Sequence, residues 1–397
     1  MQLEVLRDFG ACEPLREEWD RLMLDLGADV YMTFDWCRTW WKYYGGGRQL
    51  GILLFRQGPT LVGVVPMFCE KTRLGIAKIR LAKMIGSDSS ITLTDVTVKG
   101  GLEPQAAAVD AAIRYWIGDQ RCDAVHFGPL RGSGTARDAV LLASASASQL
   151  ATVFRDTVVG PHASFDLPES FDKYIASLPK RQRQNFKRDV SLISRNFEVT
   201  HHVRSDQEAT GAEFEAFAKM HEEQWRREGK PGHFGDWPDS MEFNRELCKV
   251  MARLGRFRIY CLLANGKPVS YQYGFVFGKN LAWRLPARAP EPDWDRYGLG
   301  RLGLVRMLEA AIGEGVRHVE AGLGHYDYKV QLGAREFDAR SMLIVSRRLH
   351  SRFRARVLVA FASALHLFYY RLWFLKLSVK LRLKRRPLWK SWIRLRI

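Results

Sequence analysis

The chain has 397 residues, 61 of them Lys or Arg against 43 Asp or Glu, a formal net charge of +18, and 47% of its residues are hydrophobic. That composition excludes a disordered chain, and the length gives room for two or three domains. Segment 346–397 carries 15 of the basic residues and no acid, which leaves 46 basic against 43 acidic in 1–345; a protein that binds nucleic acid over its whole surface is therefore excluded.

Cysteines stand at 12, 37, 69, 122, 248 and 261 with no CxxC pair, which excludes a zinc ribbon or a thioredoxin-type site and fits a reducing compartment. The opening MQLEVLRDFGACEP lacks the basic region and long apolar run of a signal peptide. No stretch reaches 18 clean apolar residues, so a polytopic membrane protein is not expected. No His/Cys/Asp group has metal-ligand spacing, and no metal is expected.

In chain order, TFDWCRTWW (33–41) places Trp36 and Trp40 one helical turn apart, as core residues or, more sharply, as a sugar-stacking platform. GRQLGILLFRQGPTLVGVVP (47–66) is two apolar runs about a Gly turn, a β-hairpin signal. A helix over 105–118 and a strand over 123–128 follow. Segment 164–197 opens with a Pro-containing linker, turns helical from about 169, and breaks or restarts at Pro179. Within it Arg181, Arg183, Lys187 and Arg188 recur at near-helical spacing around Asn185, as a solvated face or as a cradle for phosphate or carboxylate. A helix over 210–228 aligns Phe214, Phe217, Met220, His221 and Trp225 on one stripe. GRFRIYCLLANGKPVSYQYG (255–274) repeats the first hairpin at an offset of 208, with Gly58 falling on Gly266. A helix over 301–313 and a strand over 317–322 complete the second half. A helix between two strands in each half predicts αβ layers with parallel pairing, and two copies predict a pseudo-symmetric pair of domains.

The segment with most chemistry is 294–334. Arg296-Tyr-Gly298-Leu-Gly300-Arg301 runs straight into a helix, and amides at a helix start bind phosphate where Gly lets the backbone come close. Gly298, Gly300 and Gly303 also satisfy GxGxxG, but the long loop before them holds three prolines, which argues against a dinucleotide fold. Read with its surroundings, the segment resembles motif A of the GNAT acyltransferases. The resemblance implies that Arg296, Gly298, Gly300, Arg301 and Gly303 bind the pyrophosphate of acetyl-CoA or another acyl-CoA as co-substrate.

Taken whole, the chain resembles tandem-GNAT acetyltransferases associated with bacterial cellulose and exopolysaccharide synthesis, which share architecture with Fem-type aminoacyl transferases. TFDWCRTWW (33–41), SLPKRQRQNFKRD (177–189), QWRREGKPGHF (224–234) and GLGHYDYK (322–329) carry the likeness in order. It implies an α/β fold of two tandem GNAT-like domains, each a mixed sheet flanked by helices. These are 1–160, without catalysis, and 161–345, the acyltransferase; a basic helical tail, 346–397, follows. By resemblance Tyr328 is the acid for the leaving thiolate. Glu320, at a strand end beside the motif A helix, His221 and His325 are candidate bases, although a lone His on an apolar stripe is more often a core residue. Arg181, Asn185, Arg188, Trp225 and Lys329 are the candidate substrate-binding residues.

The tail has a run of 14 residues (357–370) interrupted only by His366, with basic residues on both sides and Trp389 and Trp392 beyond. It reads as a helix in the interface of an anionic membrane, too short and too interrupted to span; packing on the body and RNA binding are the alternatives. The expected protein is an acyl-CoA-dependent N- or O-acyltransferase. It would act on an amino sugar, glycan or lipid-linked precursor in cell-surface polysaccharide synthesis, peripheral at the cytoplasmic face of the plasma membrane. Fem-like aminoacyl transfer from charged tRNA and a non-catalytic membrane-docked scaffold are the competing readings.

Overall fold

The computed structural model describes every residue except 75–76, 90–91, 206, 230–231, 236, 382–387 and 396–397. The chain forms two compact units, Met1–Gly160 with Asp338–Ile397, and Pro161–Phe337.

In the first unit the expected hairpin is strands Gln49–Gln57 and Thr60–Leu74, turning at Gly58 with φ +60°. Ala77–Met84 adds antiparallel to the second of these. The crossover helix Leu102–Ile113 then returns the chain to Ala124–Arg131, which pairs in parallel through Leu81–Lys83 and Ala124–His126. Residues 339–345 pair antiparallel with Ala124–Arg131. Because successive strand residues face opposite ways, Met342 and Ile344 join the core under the helices Leu102–Ile113 and Thr135–Ser146, while Leu343 and Val345 meet the helix Leu349–Ala364. That pairing and packing move 338–397 into the first unit. The expected boundaries at 345 and 346 gave 338–345 to the second domain and left the tail separate. The early Trp-rich helix is Phe34–Tyr44, with Trp36 and Trp40 fully buried.

The second unit repeats this plan. Its hairpin is Phe257–Ala264 and Lys267–Phe277; Asn265 (φ +49°) and Gly266 (φ +73°) make the two-residue turn, the left-handed pair that suits strand twist. Asn280–Arg288 follows antiparallel, then the helix Leu299–Gly313, then His318–Leu323 in parallel with Asn280–Arg288. Residues 162–166 pair antiparallel with His318–Leu323. Pro179 separates the helices Phe171–Ser177 and Lys180–Ser194, as its missing N–H predicts. Leu302, Val305, Leu308 and Ile312 of the crossover helix pack with Leu281, Val319 and Leu262 in this unit's own core.

Candidate active site

In the second unit the parallel pairing lasts three residue pairs, from Asn280 with His318 to Ala282 with Glu320. Beyond them the strands part. Arg284 is an extra residue against Tyr273 and Gly274 on one strand, and the register slips between Glu320 and Leu323 on the other. Bulges of this kind bend and twist a strand, so the two edges turn away from one another. The helix Leu299–Gly313 begins at the same end, because the crossover leaves from the carboxyl end of Asn280–Arg288. That end is where open α/β sheets take ligands.

Gly298 occupies the N-cap of this helix in the left-handed region, φ +63° and ψ +34°. A Cβ there would also stand 2.5 Å from the Asp189 carboxylate. The N–H groups of Arg301 and Leu302 turn inward to Gly298 O, and those ahead of them have no acceptor within the helix. Gly300 is exposed, with no atom within 4 Å of where its Cβ would be, so a ligand can approach the first turn closely. No acid occupies that turn. These features fit a pyrophosphate. Gly303 is different: it faces the sheet, where a Cβ would collide with Ser270 and Gln272, and close helix–strand packing accounts for it. Arg301 Nε donates to Asp189 Oδ2 at 2.7 Å, so its guanidinium is held by a buried carboxylate. Exposed Arg296 lies over the Tyr297 ring at 4.8 Å and donates to its hydroxyl.

Where the strands part, the residues expected to act are sorted by burial. Lys329, expected as a substrate contact, is 6% exposed. Its Nζ donates to Ala321 O at 2.5 Å and lies 5.1 Å from the Trp283 ring and 4.5 Å from that of Tyr326. Burial pushes its ammonium down to about 8, against the pull of Glu320 and Glu336. Trp283 is the first residue past the last pair on its strand, and its buried Nε1 meets no acceptor among the described residues. Glu320 is buried, accepts from Gly322 N at 2.8 Å, and lies 2.5 Å from His162 Nε2 without an aligned hydrogen bond. Tyr328, one residue before Lys329, points outward and is 39% exposed.

The two candidate histidines, His221 and His325, have partners of their own. His221 is fully buried among Phe217, Trp225 and Phe234. Its Nδ1 donates to Pro286 O at 2.8 Å, so its Nε2 accepts from His233 Nδ1 at 3.0 Å. Gln224 Oε1 accepts from Arg288 N at 3.0 Å. The helix Gln207–Arg227 thus satisfies backbone groups along the strand edge that pairing with His318–Leu323 leaves open. Burial lowers His221 to about 4; the structure makes it a neutral core histidine. His325 Nδ1 faces Glu336 at 2.9 Å and its Nε2 faces Asp327 at 3.0 Å. Carboxylates only accept, so this arrangement favours the protonated ring, its pKa raised first by Glu336 and then by Asp327.

On the helix Lys180–Ser194, Arg181 and Arg188 are exposed and Asn185 is half-buried. Trp225 is half-buried, its ring edge-on to His233 at 4.8 Å. The buried stripe of that helix is Gln182, Phe186, Asp189 and Ile193. Gln182 donates to Gln331 at 3.0 Å and so touches the short helix Asp327–Gln331 that carries Tyr328 and Lys329. Asp189 is the one acid in KRQRQNFKRD, and its helical spacing from Gln182 and Phe186 is the only sequence signal for its burial. His162 and Trp283 gave none, because nothing along the chain relates them to Glu320 and Lys329. Among the described residues no cluster of His, Cys, Asp and Glu could hold a metal.

The first unit has the same parallel start, with Lys83 and His126 in register where the second has Ala282 and Glu320. There the place is filled by paired charges: Lys83 lies 2.8 Å from Glu70, and Arg48 lies 2.9 Å from Glu70 and 2.8 Å from Asp88, all buried. Burial alone would raise both carboxyls; Lys83 and Arg48 together hold them below their usual range.

Residues 180–330 match the family model described as the Acetyltransferase (GNAT) domain. The match covers the helix Lys180–Ser194, the parting strands and the glycine-led helix, and it supports an acyltransferase. Of solved structures, FemX aligns with a TM-score of 0.61 at 11% identity over 85% of this chain and 96% of its own. A conserved protein of unknown function from Bacteroides thetaiotaomicron aligns with a TM-score of 0.50 at 8% identity, over 87% of this chain and all of its own. A tandem GNAT protein from the clavulanic acid biosynthesis pathway gives 0.44 at 14% identity, over 87% and 98%. No curated protein sequence matches the chain.

Proposed function

We propose that the second unit transfers an acyl group directly from acyl-CoA to an amine or hydroxyl of an amino sugar, glycan or lipid-linked precursor, in cell-surface polysaccharide synthesis. The observation that carries this is the coincidence at one sheet end of parting parallel strands, a helix start opened by Gly298 and Gly300, and a buried lysine ammonium. The first-turn amides and the helix dipole suit the pyrophosphate. The parted edges leave room for the pantetheine arm. Lys329 and the Trp283 N–H stand where a tetrahedral oxyanion would form when the acceptor attacks the thioester carbon. The acceptor's proton passes to the Glu320–His162 pair and the C–S bond breaks; Tyr328 protonates the thiolate and is reprotonated from water, to which the pair releases its own proton. The acceptor class rests on the sequence likeness to the exopolysaccharide branch.

The test is calorimetric titration of the full chain with acetyl-CoA beside Gly300→Asp. That site is exposed and empty, and an acid in a helix's first turn is well placed for the dipole, so the variant should fold and melt as the parent does. Micromolar binding that the variant loses is the expected outcome. No binding of acetyl-CoA or longer acyl-CoA by the parent would sink the proposal and move the weight to aminoacyl transfer from charged tRNA or to a scaffold.

A further inference from the structure

The strongest feature the proposed reaction leaves unused is the C-terminal segment of the first unit. It contains one continuous helix, Leu349–Leu377, of 29 residues. By length and composition this helix could cross a membrane, more than the 14-residue run suggested. Its packing argues for another disposition. Ser351, Ala355, Leu358 and Ala362 recur every three or four residues and are buried, and this stripe seats on Ile79, Leu81, Leu343 and Val345 of the unit's sheet. Asp123 fixes the same end, accepting from Ser351 Oγ at 2.6 Å and from Arg354 at 3.2 Å. The first half of the helix is therefore laid along a folded body, while its most apolar stretch is largely uncovered. From Arg356 to Arg371 lie 14 uncharged residues, about 21 Å of helix at 1.5 Å per residue, short of the roughly 30 Å of a hydrocarbon core.

The outward side carries what a lipid interface selects. Phe353, Phe361, Leu367, Phe368, Leu372 and Leu375 are exposed, Phe368 by 64%. Beyond the helix the chain folds back as Trp389–Arg394. Trp392 stacks on Tyr370 at 4.2 Å and Trp389 lies 4.8 Å from Phe374. The fold-back leaves an apolar groove of about 600 Å³ lined by Phe361, Leu365, Phe368, Trp373 and Leu388. Arg352, Arg356, Arg371, Lys376 and Lys390 of the same segment are exposed, and the whole segment 346–397 has no acid to oppose them. Lys384, Arg385, Arg386 and Arg396 of the expected basic cluster lie outside the described residues.

We propose that this face of the first unit docks on an anionic bilayer. The helix Leu349–Leu377 lies in the plane of the interface, its outward Phe and Leu side chains among the acyl chains, its groove admitting one of them, and its Arg and Lys at the phosphates. The proposal stands independently of acyl transfer. It would bring a lipid-linked acceptor to the enzyme instead of leaving it to diffuse through water.

The test is sedimentation of the full chain with phosphatidylcholine vesicles, with and without phosphatidylglycerol. The wild type should sediment with the mixed vesicles and release as salt is raised. Phe361→Ser/Phe368→Ser should lower the partition coefficient at least tenfold with an unchanged melting temperature. All six native cysteines are buried, so an environment-sensitive dye attached to Phe368→Cys reports on this face, with Leu142→Cys on a distant exposed helix as control. The dye at 368 should shift to the blue on vesicles and the dye at 142 should not. Equal binding to neutral vesicles, no binding at all, a variant that sediments like the parent, or a solvent-like dye at 368 would each overturn the proposal. So would dimerisation through this face in place of vesicle binding, or a chain that only detergent extracts, which would make the helix a spanning one.

Discussion

At the scale of single residues, Lys329 is a group whose chemistry burial alters strongly. Its ammonium is nearly out of water, held by one carbonyl and two aromatic rings, and burial brings it down to about 8. If the positive charge stabilises an oxyanion, the acyl-transfer rate must fall as pH rises through that value. We expect kcat/KM to show a descending limb near pH 8 in the wild type. Lys329→Met should lose about 10²–10³ in kcat, the usual cost of removing one oxyanion donor, and should lack the limb. A pH–rate profile of both proteins with one acceptor checks this; a limb that persists in the variant belongs to another group. Stability carries the opposite sign. A lysine whose folded pKa lies below its unfolded value binds fewer protons when folded, so this contribution destabilises at neutral pH and is relieved between about 8 and 10.5.

At the scale of elements, the helices Lys180–Ser194 and Leu299–Gly313 are joined by a single acid. Asp189 is 1% exposed and receives Arg301 through Nε at 2.7 Å and Arg188 at 3.2 Å. Removing one partner of a buried pair costs about 3–5 kcal/mol. Asp189→Ala should lie near that range by urea denaturation and weaken acyl-CoA binding, because the same carboxylate packs against Gly298 at the helix start. Arg188→Ala, whose side chain is largely exposed, should change stability little; equal losses in the two variants would contradict this account. Much of this architecture was readable beforehand. Both hairpins, both crossover helices and the break at Pro179 follow from apolar periodicity and turn chemistry, which are local. Ala151–Asp166 and Arg335–Ser346 were missed: the first is half-exposed for most of its length and contains Pro161, and the second begins with exposed charged residues and turns apolar only at its end. In the site, the glycine-led helix start was legible because a left-handed cap demands glycine. The burial of Lys329 with Tyr328 turned outward was not, since the helix Asp327–Gln331 has five residues and too few turns to show which face is inward.

At the scale of the whole molecule, each unit contains a histidine that folding keeps neutral. His126 of the first unit is 1% exposed, and burial, helped by Lys83, lowers it to about 3. His221 of the second is fully buried and lowered to about 4. An unfolded histidine titrates near 6.5, so between these values the unfolded chain binds protons that the folded chain refuses. Stability therefore falls as pH drops below about 6.5, and the loss approaches its full size only near the folded pKa values. For His221 the gap of about 2.5 units corresponds to ~3 kcal/mol by pH 4, and His126 adds a similar order, since one unit is 1.36 kcal/mol. Urea denaturation at pH 7 and pH 5 should show a clear acid-side loss. His221→Phe should start less stable, because Pro286 O and His233 lose their partner, yet show a shallower decline with acid. His126→Phe should flatten the decline as well, and the double variant should flatten it most. If wild type and double variant declined in parallel from pH 7 to pH 5, the acid sensitivity would have to come from carboxylates held by the ion pairs, such as Glu70 and Asp88, and not from these two rings.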